Sequence, residues 1–175
     1  MTAAKGRLFF ALWPGEAVRA ALTAAFAPAV AAAGGRTVPA QNLHLTLAFL
    51  GAVPAEAQAP LVALGAGLEL PQADVTLDRL DWWRRAQVLV AAASEPPAAL
   101  IELQADVRRR LNDAGFRIDS QPFRPHVTLA RKVASPPPAV TSAVVWPIAA
   151  AALVESVPAP GGSRYTPLAT WARGG

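Results

Sequence analysis

The chain has 175 residues, of which 53% are hydrophobic and none is cysteine, and its formal net charge is +4. This length fits one domain with a substantial core. The lack of cysteine excludes thiol nucleophiles, thiolate metal sites and disulfides, and it fits a reducing, cytoplasmic location. The charge is too low for the dense basic surface of a dedicated nucleic-acid-binding protein, although arginine, the main basic residue, suits a phosphate-bearing partner.

The N-terminal part predicts a strand, a helix and a short second strand. The apolar segment Arg7–Trp13 reads as a buried strand that stops at Pro14-Gly15. A helix is predicted from Pro14 to Ala33, with Pro28 expected to kink or shorten it. A short strand follows at Thr37–Pro39. No window reaches the ~18 uninterrupted apolar residues of a membrane span, and Met1–Arg7 is not expected to begin a signal peptide.

The middle of the chain predicts a strand, a helix, a hairpin and a second helix. The segment Leu43–Gly51 is strongly strand-like, and Pro54–Leu68 is a helix candidate. Strands at Asp74–Leu80 and Gln87–Ala93 form the hairpin, with the segment from Trp82 to Arg85 as its loop. The clearest helix is Ala98–Ala114, with Leu100, Leu103, Val107 and Leu111 on its apolar face.

The C-terminal part predicts a strand at Val127–Arg131, a proline-rich linker at Ser135–Pro138, and a final hairpin. The hairpin strands are Ile148–Val157 and Ser163–Trp171. The order of elements predicts an α+β fold, with antiparallel sheets and helices on their outer faces. We expect residues 1–175 to form a single bilobal domain, and nothing in the sequence indicates more than a monomer.

The two histidines of the chain begin nearly identical five-residue segments, His44-Leu-Thr-Leu-Ala and His126-Val-Thr-Leu-Ala. Strand alternation places each histidine beside the threonine two residues later, Thr46 or Thr128, on one face. The leucines and Phe49 are predicted on the opposite, core face of the first of these strands. The repeat predicts two comparable halves whose histidine faces meet across a cleft.

Paired imidazoles suit general acid–base chemistry on a phosphodiester. An imidazole has a pKa of about 6.5, so one can deprotonate water while the other protonates the leaving oxygen. The threonine hydroxyls can hold the phosphoryl oxygens. Two alternatives remain open at this point: both histidines could be structural, or they could bind a metal, although a catalytic zinc usually takes three protein ligands and no third is evident. No serine-hydrolase elbow or glycine-rich phosphate loop is present.

Around these residues the chain resembles the two-histidine (2H) phosphoesterase superfamily, and within it the RNA 2′,3′-cyclic phosphodiesterases of the LigT/ThpR type, historically called 2′-5′ RNA ligases. The resemblance covers nearly the whole chain. It rests on the opening Arg7–Leu12 strand, on Asn42–Gly51 and Phe123–Arg131, and on Ser156 followed by Gly162–Leu168. The segment Lys132–Pro138 is shorter than is usual in the family, which affects a loop at the border of the cleft.

The resemblance implies two pseudo-symmetric antiparallel sheets around a central cleft. It implies metal-independent hydrolysis of RNA 2′,3′-cyclic phosphate ends to 2′-phosphomonoesters, with no cofactor. By this analogy alone, His44 is the proton donor and His126 the proton acceptor. Thr46 and Thr128 bind the phosphoryl oxygens, and the partner is an RNA or oligonucleotide that ends in a cyclic phosphate.

Several other residues have two open readings. Arg131 matches the arginine that follows the second motif in the family, but strand alternation points it away from His126 unless the strand twists or ends there. Phe9 could stack on a base, although core packing is the favoured reading. Trp82 and Trp83 are expected to cover the hairpin end rather than bind a base, and Arg108–Arg110 to form a solvated helix face rather than contact RNA.

Two alternative functions remain open beside hydrolysis, and a different cyclic phosphate, such as that of a nucleotide-sugar or a cofactor, remains open as the substrate. The same cleft could join RNA ends reversibly through 2′-5′ linkages, or the fold could serve as a non-catalytic RNA-end binding module. The second alternative predicts loss of a motif histidine or threonine, and this chain keeps all four.

Overall fold

The computed structural model describes residues 6–174, within which three α-helices and ten strands are formed. The helices are α1 (Glu16–Ala33), α2 (Gln58–Ala66) and α3 (Ala98–Asp113). The strands are β1 (Arg7–Leu12), β2 (Arg36–Thr37), β3 (Leu45–Ala52), β4 (Asp74–Leu77), β5 (Arg79–Trp83), β6 (Val88–Ala92), β7 (His126–Arg131), β8 (Val144–Pro147), β9 (Ala150–Ala159) and β10 (Gly162–Ala172). Residues 1–5, in the segment expected to lack a signal peptide, lie outside the described range.

The strands form two antiparallel halves that meet at one point. One half has the order β10-β9-β1-β3 and the other the order β7-β6-β5, with β2 paired to β7. The pair Leu45 and Val127 joins β3 to β7, so the two halves form one eight-stranded sheet. Strands β4 and β8 form a separate two-stranded sheet. The predicted α+β class with antiparallel sheets is confirmed, and the motif strands are the two central neighbours.

Helix α3 buries the face that its apolar spacing predicts, and helix α1 buries part of its predicted face. All four predicted apolar residues of α3 are buried. Helix α1 continues through Pro28 and ends at Ala33, as the glycines after it predict, so of the two expected effects of the proline, a kink or a shorter helix, the second does not occur. Burial of Ala29 and Ala33 beyond the proline explains this, because tertiary packing supplies most helix stability in proteins. By length and composition alone α1 could cross a membrane, but core helices of globular proteins meet the same criterion.

The segment predicted as one strand from Asp74 to Leu80 is divided between two sheets. Asp78 interrupts it: its Oδ1 accepts a hydrogen bond of 2.8 Å from the Ser94 backbone N–H. The prediction that Trp82 and Trp83 lie in the loop is also wrong, because both belong to β5 and pair with β6. Strand β8 was not predicted; its pairing with β4 depends on a contact distant in sequence.

Candidate active site

An irregularity in β3 sets which side chains reach the cleft. Ala11 of β1 lies opposite Thr46, but Phe10, the residue before Ala11, lies opposite Ala48. Leu47 is therefore extra, as in a β-bulge, which places two residues of one strand against one of its neighbour. Its free carbonyl accepts a hydrogen bond of 3.1 Å from Nε2 of Gln104, a buried polar side chain of α3.

Strand β7 has the same irregularity at the same place in its motif. Val90 of β6 lies opposite Thr128, and Leu89 lies opposite Ala130, which leaves Leu129 extra. The carbonyl of Leu129 accepts a hydrogen bond of 2.9 Å from the backbone N–H of Val38. The bulge is thus repeated with the H-x-T-L motif, and in each copy a group from outside the two paired strands satisfies the bulged carbonyl.

Each bulge turns the residue five positions after its histidine toward the cleft. Phe49 and Arg131 both line the cavity that His44 and His126 line. The predictions that Phe49 faces the core and that Arg131 points away are therefore wrong, since strict alternation ends at a bulge. Phe49 is 46% exposed, whereas Leu47, two residues earlier and predicted on the same face of the strand, is buried.

The predicted site residues meet in one cavity of about 280 Å³ between the two halves. Both motif histidines and both motif threonines line it, together with Arg131 and Phe9. The two histidines are far apart in the sequence, and the neighbouring positions of β3 and β7 bring them together. A further wall is formed by Trp83, Ser156 and Tyr165.

The same hydrogen bond orients both imidazoles. Nδ1 of His44 lies 2.7 Å from the carbonyl oxygen of Asn42, and Nδ1 of His126 lies 2.6 Å from that of Arg124. A carbonyl only accepts, so each Nδ1 carries the proton and donates it. Each Nε2 is thereby left as the atom that can exchange a proton with a ligand.

Aromatic rings enclose His44. The ring centroids of Phe9 and Tyr165 lie 4.8 Å and 5.1 Å from that of His44, and Trp13 stacks at 6.2 Å. Phe9 is only 2% exposed, so it packs beneath the imidazole and offers almost no surface to a base. This burial agrees with the favoured core reading of Phe9.

Trp83 plays the corresponding role beside His126, at a centroid distance of 4.4 Å. The guanidinium of Arg124 covers the Trp83 ring at 4.6 Å. The expectation that Trp83 merely covers the hairpin end is therefore wrong. Trp82 does cover that end: its Nε1 donates to the carbonyl of Val133 at 3.0 Å.

Both imidazoles are biased toward the neutral form. Burial lowers the pKa of His44 to about 4; the hydrogen bond to Asn42 opposes this shift, and the charges of Arg131, His126 and Arg19 add to it. Burial also lowers the pKa of His126, opposed by its bond to Arg124 and reinforced by the charges of Arg124 and Arg131. At neutral pH, without a ligand, each histidine is a proton acceptor.

A larger cavity of about 410 Å³ adjoins this site on the side of α3. Arg108 lines this cavity, so the expectation that it belongs to a purely solvated helix face is wrong. Arg109 and Arg110 instead pair with Asp106 of the same helix. Among residues 6–174, no group of three or more histidine or carboxylate side chains is arranged to hold a metal ion.

Sequence reasoning did not assign Phe49, Trp83 or Tyr165 to the site. Tyr165 carried a signal, because it lies in the closing hairpin that resembles the family. Phe49 carried none, since its orientation depends on the bulge. Trp83 is predicted in the hairpin loop but lies in strand β5.

The family model described as the 2′-5′ RNA ligase superfamily matches residues 14–158. The RNA 2′,3′-cyclic phosphodiesterase of Escherichia coli (strain K12) is 37% identical over 172 residues, which are 95% of this chain and 96% of that protein. The protein of the same name from Thermus thermophilus is 37% identical over 180 residues, covering 93% of this chain and 87% of its own length.

Solved structures show the same likeness. The crystal structure of E. coli LigT complexed with 3′-AMP has a TM-score of 0.80 at 35% identity, covering 96% of this chain and 98% of that chain. A crystal structure from Thermus thermophilus has a TM-score of 0.79 at 32% identity, covering 95% and 97%.

Proposed function

The chain belongs to the 2′-5′ RNA ligase superfamily, and from this membership and its cleft we propose that it hydrolyses the 2′,3′-cyclic phosphate at an RNA end to a 2′-phosphomonoester, without a metal or cofactor. The observation that carries the proposal is the meeting of both H-x-T pairs and Arg131 in one cavity. The curated relatives named for this reaction support the choice of substrate.

In the proposed reaction His126 accepts a proton from water through Nε2, and the water oxygen attacks phosphorus. The bond between phosphorus and O3′ breaks, and Nε2 of His44 gives its proton to O3′. The 2′-phosphate remains on the product. Two imidazoles in opposite protonation states are the arrangement that general acid–base catalysis requires.

The substrate's own charge prepares His44 for the role of acid. With a pKa of about 4, His44 is neutral in the free protein at neutral pH. The negative phosphodiester stabilises a nearby imidazolium and so raises its pKa. Protonation of His44 is thus coupled to binding of the cyclic phosphate.

Thr46, Thr128 and Arg131 complete the proposed site. The threonine hydroxyls donate to the non-bridging oxygens, and the guanidinium of Arg131 neutralises the charge that accumulates there. Arg131 stands on the β7 side of the cavity, and its counterpart on β3 is Phe49. The cation is therefore supplied from one half only.

The test is turnover of an oligoribonucleotide that ends in a 2′,3′-cyclic phosphate, in the presence of EDTA. We expect the wild type to release a 2′-phosphate end, and both His44→Ala and His126→Ala to lose nearly all activity. Arg109→Gln, an exposed change on α3 outside the cleft, is the matched control for folding and should retain full activity.

Other results would redirect the proposal. Activity that needs an added metal contradicts the paired-histidine reaction. RNA binding without turnover indicates a non-catalytic module, and formation of 2′-5′ linkages from an added 5′-hydroxyl RNA indicates reversible ligation. If only one histidine variant is inactive, the two roles are not paired.

We further propose that residues 1–175 act as a monomeric, single bilobal domain in the cytoplasm. The continuity of the sheet through Leu45 and Val127 supports a single folding unit. Light scattering after size-exclusion chromatography tests the oligomeric state, a single urea transition tests the unit, and cell fractionation tests the location.

A further inference from the structure

Three arginines line a third cavity, which we call the arginine pocket: Arg36, Arg131 and Arg164. Its volume is about 310 Å³, and no described aspartate or glutamate is among its lining residues. Among the ion pairs formed within residues 6–174, none involves these three side chains. The pocket therefore has a concentrated positive charge that the surrounding carboxylates do not neutralise.

The pairing of β2 with β7 places two of these charges side by side. Arg36 lies directly opposite Arg131, and like charges at opposite positions of neighbouring strands destabilise a sheet. Gly35 permits this approach: a side chain there would meet the Arg131 carbonyl at 2.5 Å, and its φ is +74°. The repulsion between the two guanidinium groups is relieved when an anion lies between them.

Residues from both halves of the fold form the pocket. The guanidinium of Arg36 approaches the turn between β9 and β10, where a Cβ on Gly162 would lie 3.5 Å from it. In that same hairpin Ser163 accepts a hydrogen bond of 3.0 Å through its carbonyl from Nδ2 of Asn42. The start of strand β10, which carries Arg164, is thereby tied to the segment just before His44.

The arginine pocket adjoins the catalytic cavity, since Arg131 and Tyr165 line both. In an RNA that ends in a 2′,3′-cyclic phosphate, the other phosphate of the terminal nucleotide is on its 5′ side. With the cyclic phosphate at the histidines, the next anion of the substrate falls beside the reaction centre.

We propose that the arginine pocket binds the 5′-side phosphate of the terminal nucleotide, and that it selects oligonucleotides over cyclic mononucleotides with a free 5′-hydroxyl. This inference rests on the proposed function. Guanidinium groups match phosphate oxygens in bidentate geometry, so Arg36 and Arg164 are the residues that confer the preference. Arg131 serves both cavities and is left out of the test.

The experiment compares two substrates that differ by one phosphate: a nucleoside 2′,3′-cyclic phosphate with a free 5′-hydroxyl, and the same nucleotide carrying a 5′-phosphate. We expect kcat/KM of the wild type to be about tenfold higher or more for the second, as for a charge-assisted hydrogen bond. In Arg36→Gln and Arg164→Gln that ratio should fall toward one. Arg109→Gln carries the same change of charge outside both cavities and should keep the wild-type ratio.

Salt dependence gives a second measurement of the same contact. For the 5′-phosphorylated substrate, kcat/KM should decline less steeply with rising salt in each pocket variant than in the wild type, because the attraction that salt screens has been removed. Turnover of the substrate with a free 5′-hydroxyl shows in each variant that the enzyme is folded.

The outcomes separate the two proposals. A wild type that hydrolyses neither of these substrates nor the oligoribonucleotide with a cyclic-phosphate end overturns the proposed function. A wild type that hydrolyses the oligoribonucleotide but neither mononucleotide overturns the arginine pocket alone, because the 5′-phosphate is then not what the enzyme selects. A wild type that hydrolyses both equally overturns the arginine pocket alone. So does a preference for the 5′-phosphate that survives in both arginine variants, because the phosphate then binds elsewhere.

Discussion

The low pKa of His44 predicts that the protein becomes less stable as the pH falls below 6.5. A histidine whose pKa is about 4 when folded and about 6.5 when unfolded binds more protons in the unfolded state between those values. Its contribution to stability is therefore complete above pH ~6.5 and is lost as the pH falls toward 4. From about pH 8 to about pH 5.5 the loss from His44 is on the order of 1 kcal/mol.

Few other side chains titrate in this pH range, so the change in stability can be assigned to the histidines. The chain has only two histidines, and aspartate and glutamate titrate mainly below pH ~5. Urea unfolding followed by tryptophan fluorescence should be recorded across this pH range for the wild type, His44→Gln, His126→Gln and the double variant. The slope of the unfolding free energy with pH is the readout, since the substitutions also change the stability itself.

We expect His44→Gln to remove most of the slope and His126→Gln to remove a smaller part. The double variant should be nearly independent of pH in this range. If His44→Gln keeps the wild-type slope, then His44 titrates normally in the folded protein and its burial among aromatic rings does not disfavour its charge.

Four further predictions concern the site and its support. Saturation with inorganic phosphate should raise the pKa of His44, followed by NMR of the imidazole, because the anion stabilises the imidazolium; an unchanged value would remove the coupling of protonation to binding. For a cyclic substrate, kcat/KM should decline as the pH rises from about 6.5 to about 8.5, since one imidazole must be protonated and both have lowered pKa values; a flat profile would contradict paired roles. Arg131→Gln should lower kcat/KM by about 10- to 100-fold and raise the pKa of both histidines, whereas Arg109→Gln should change neither. Gln104→Leu should reduce the unfolding free energy by about 1–3 kcal/mol, because it leaves the bulged Leu47 carbonyl without its partner; stability equal to that of an exposed control, Gln72→Leu, would show that the bond is dispensable.

Local pattern was sufficient for most elements of this fold. The apolar spacing of α3 predicted its buried face residue by residue, and the alternation of the motif strands paired each histidine with its threonine. These features depend on residues a few positions apart, so a single sequence contains them. The division of Asp74–Leu80 between two sheets depends instead on the pairing of β4 with β8, which lies far along the chain.

Prediction of the candidate site is also limited to what depends on nearby residues. Its four motif residues could be named from the repeat, because a histidine and a threonine two apart share a face of any regular strand. Phe49 and Arg131 could not be placed, because their direction depends on how β3 and β7 are registered against β1 and β6. The arginine pocket was also out of reach, as its members come from three separate segments.

The two bulges show how a duplicated strand can serve two different needs. Each copy turns its fifth residue after the histidine into the cleft, yet one copy presents phenylalanine there and the other arginine. A phosphodiester is asymmetric in the same sense, since its anionic oxygens need a cation while the attached nucleoside has apolar faces. A second arginine at position 49 would add a further positive charge to a site where Arg131 already lowers the pKa of both histidines. The shared backbone therefore presents the paired imidazoles, and the difference at the fifth position gives the β3 side of the cavity an aromatic ring and the β7 side a cation.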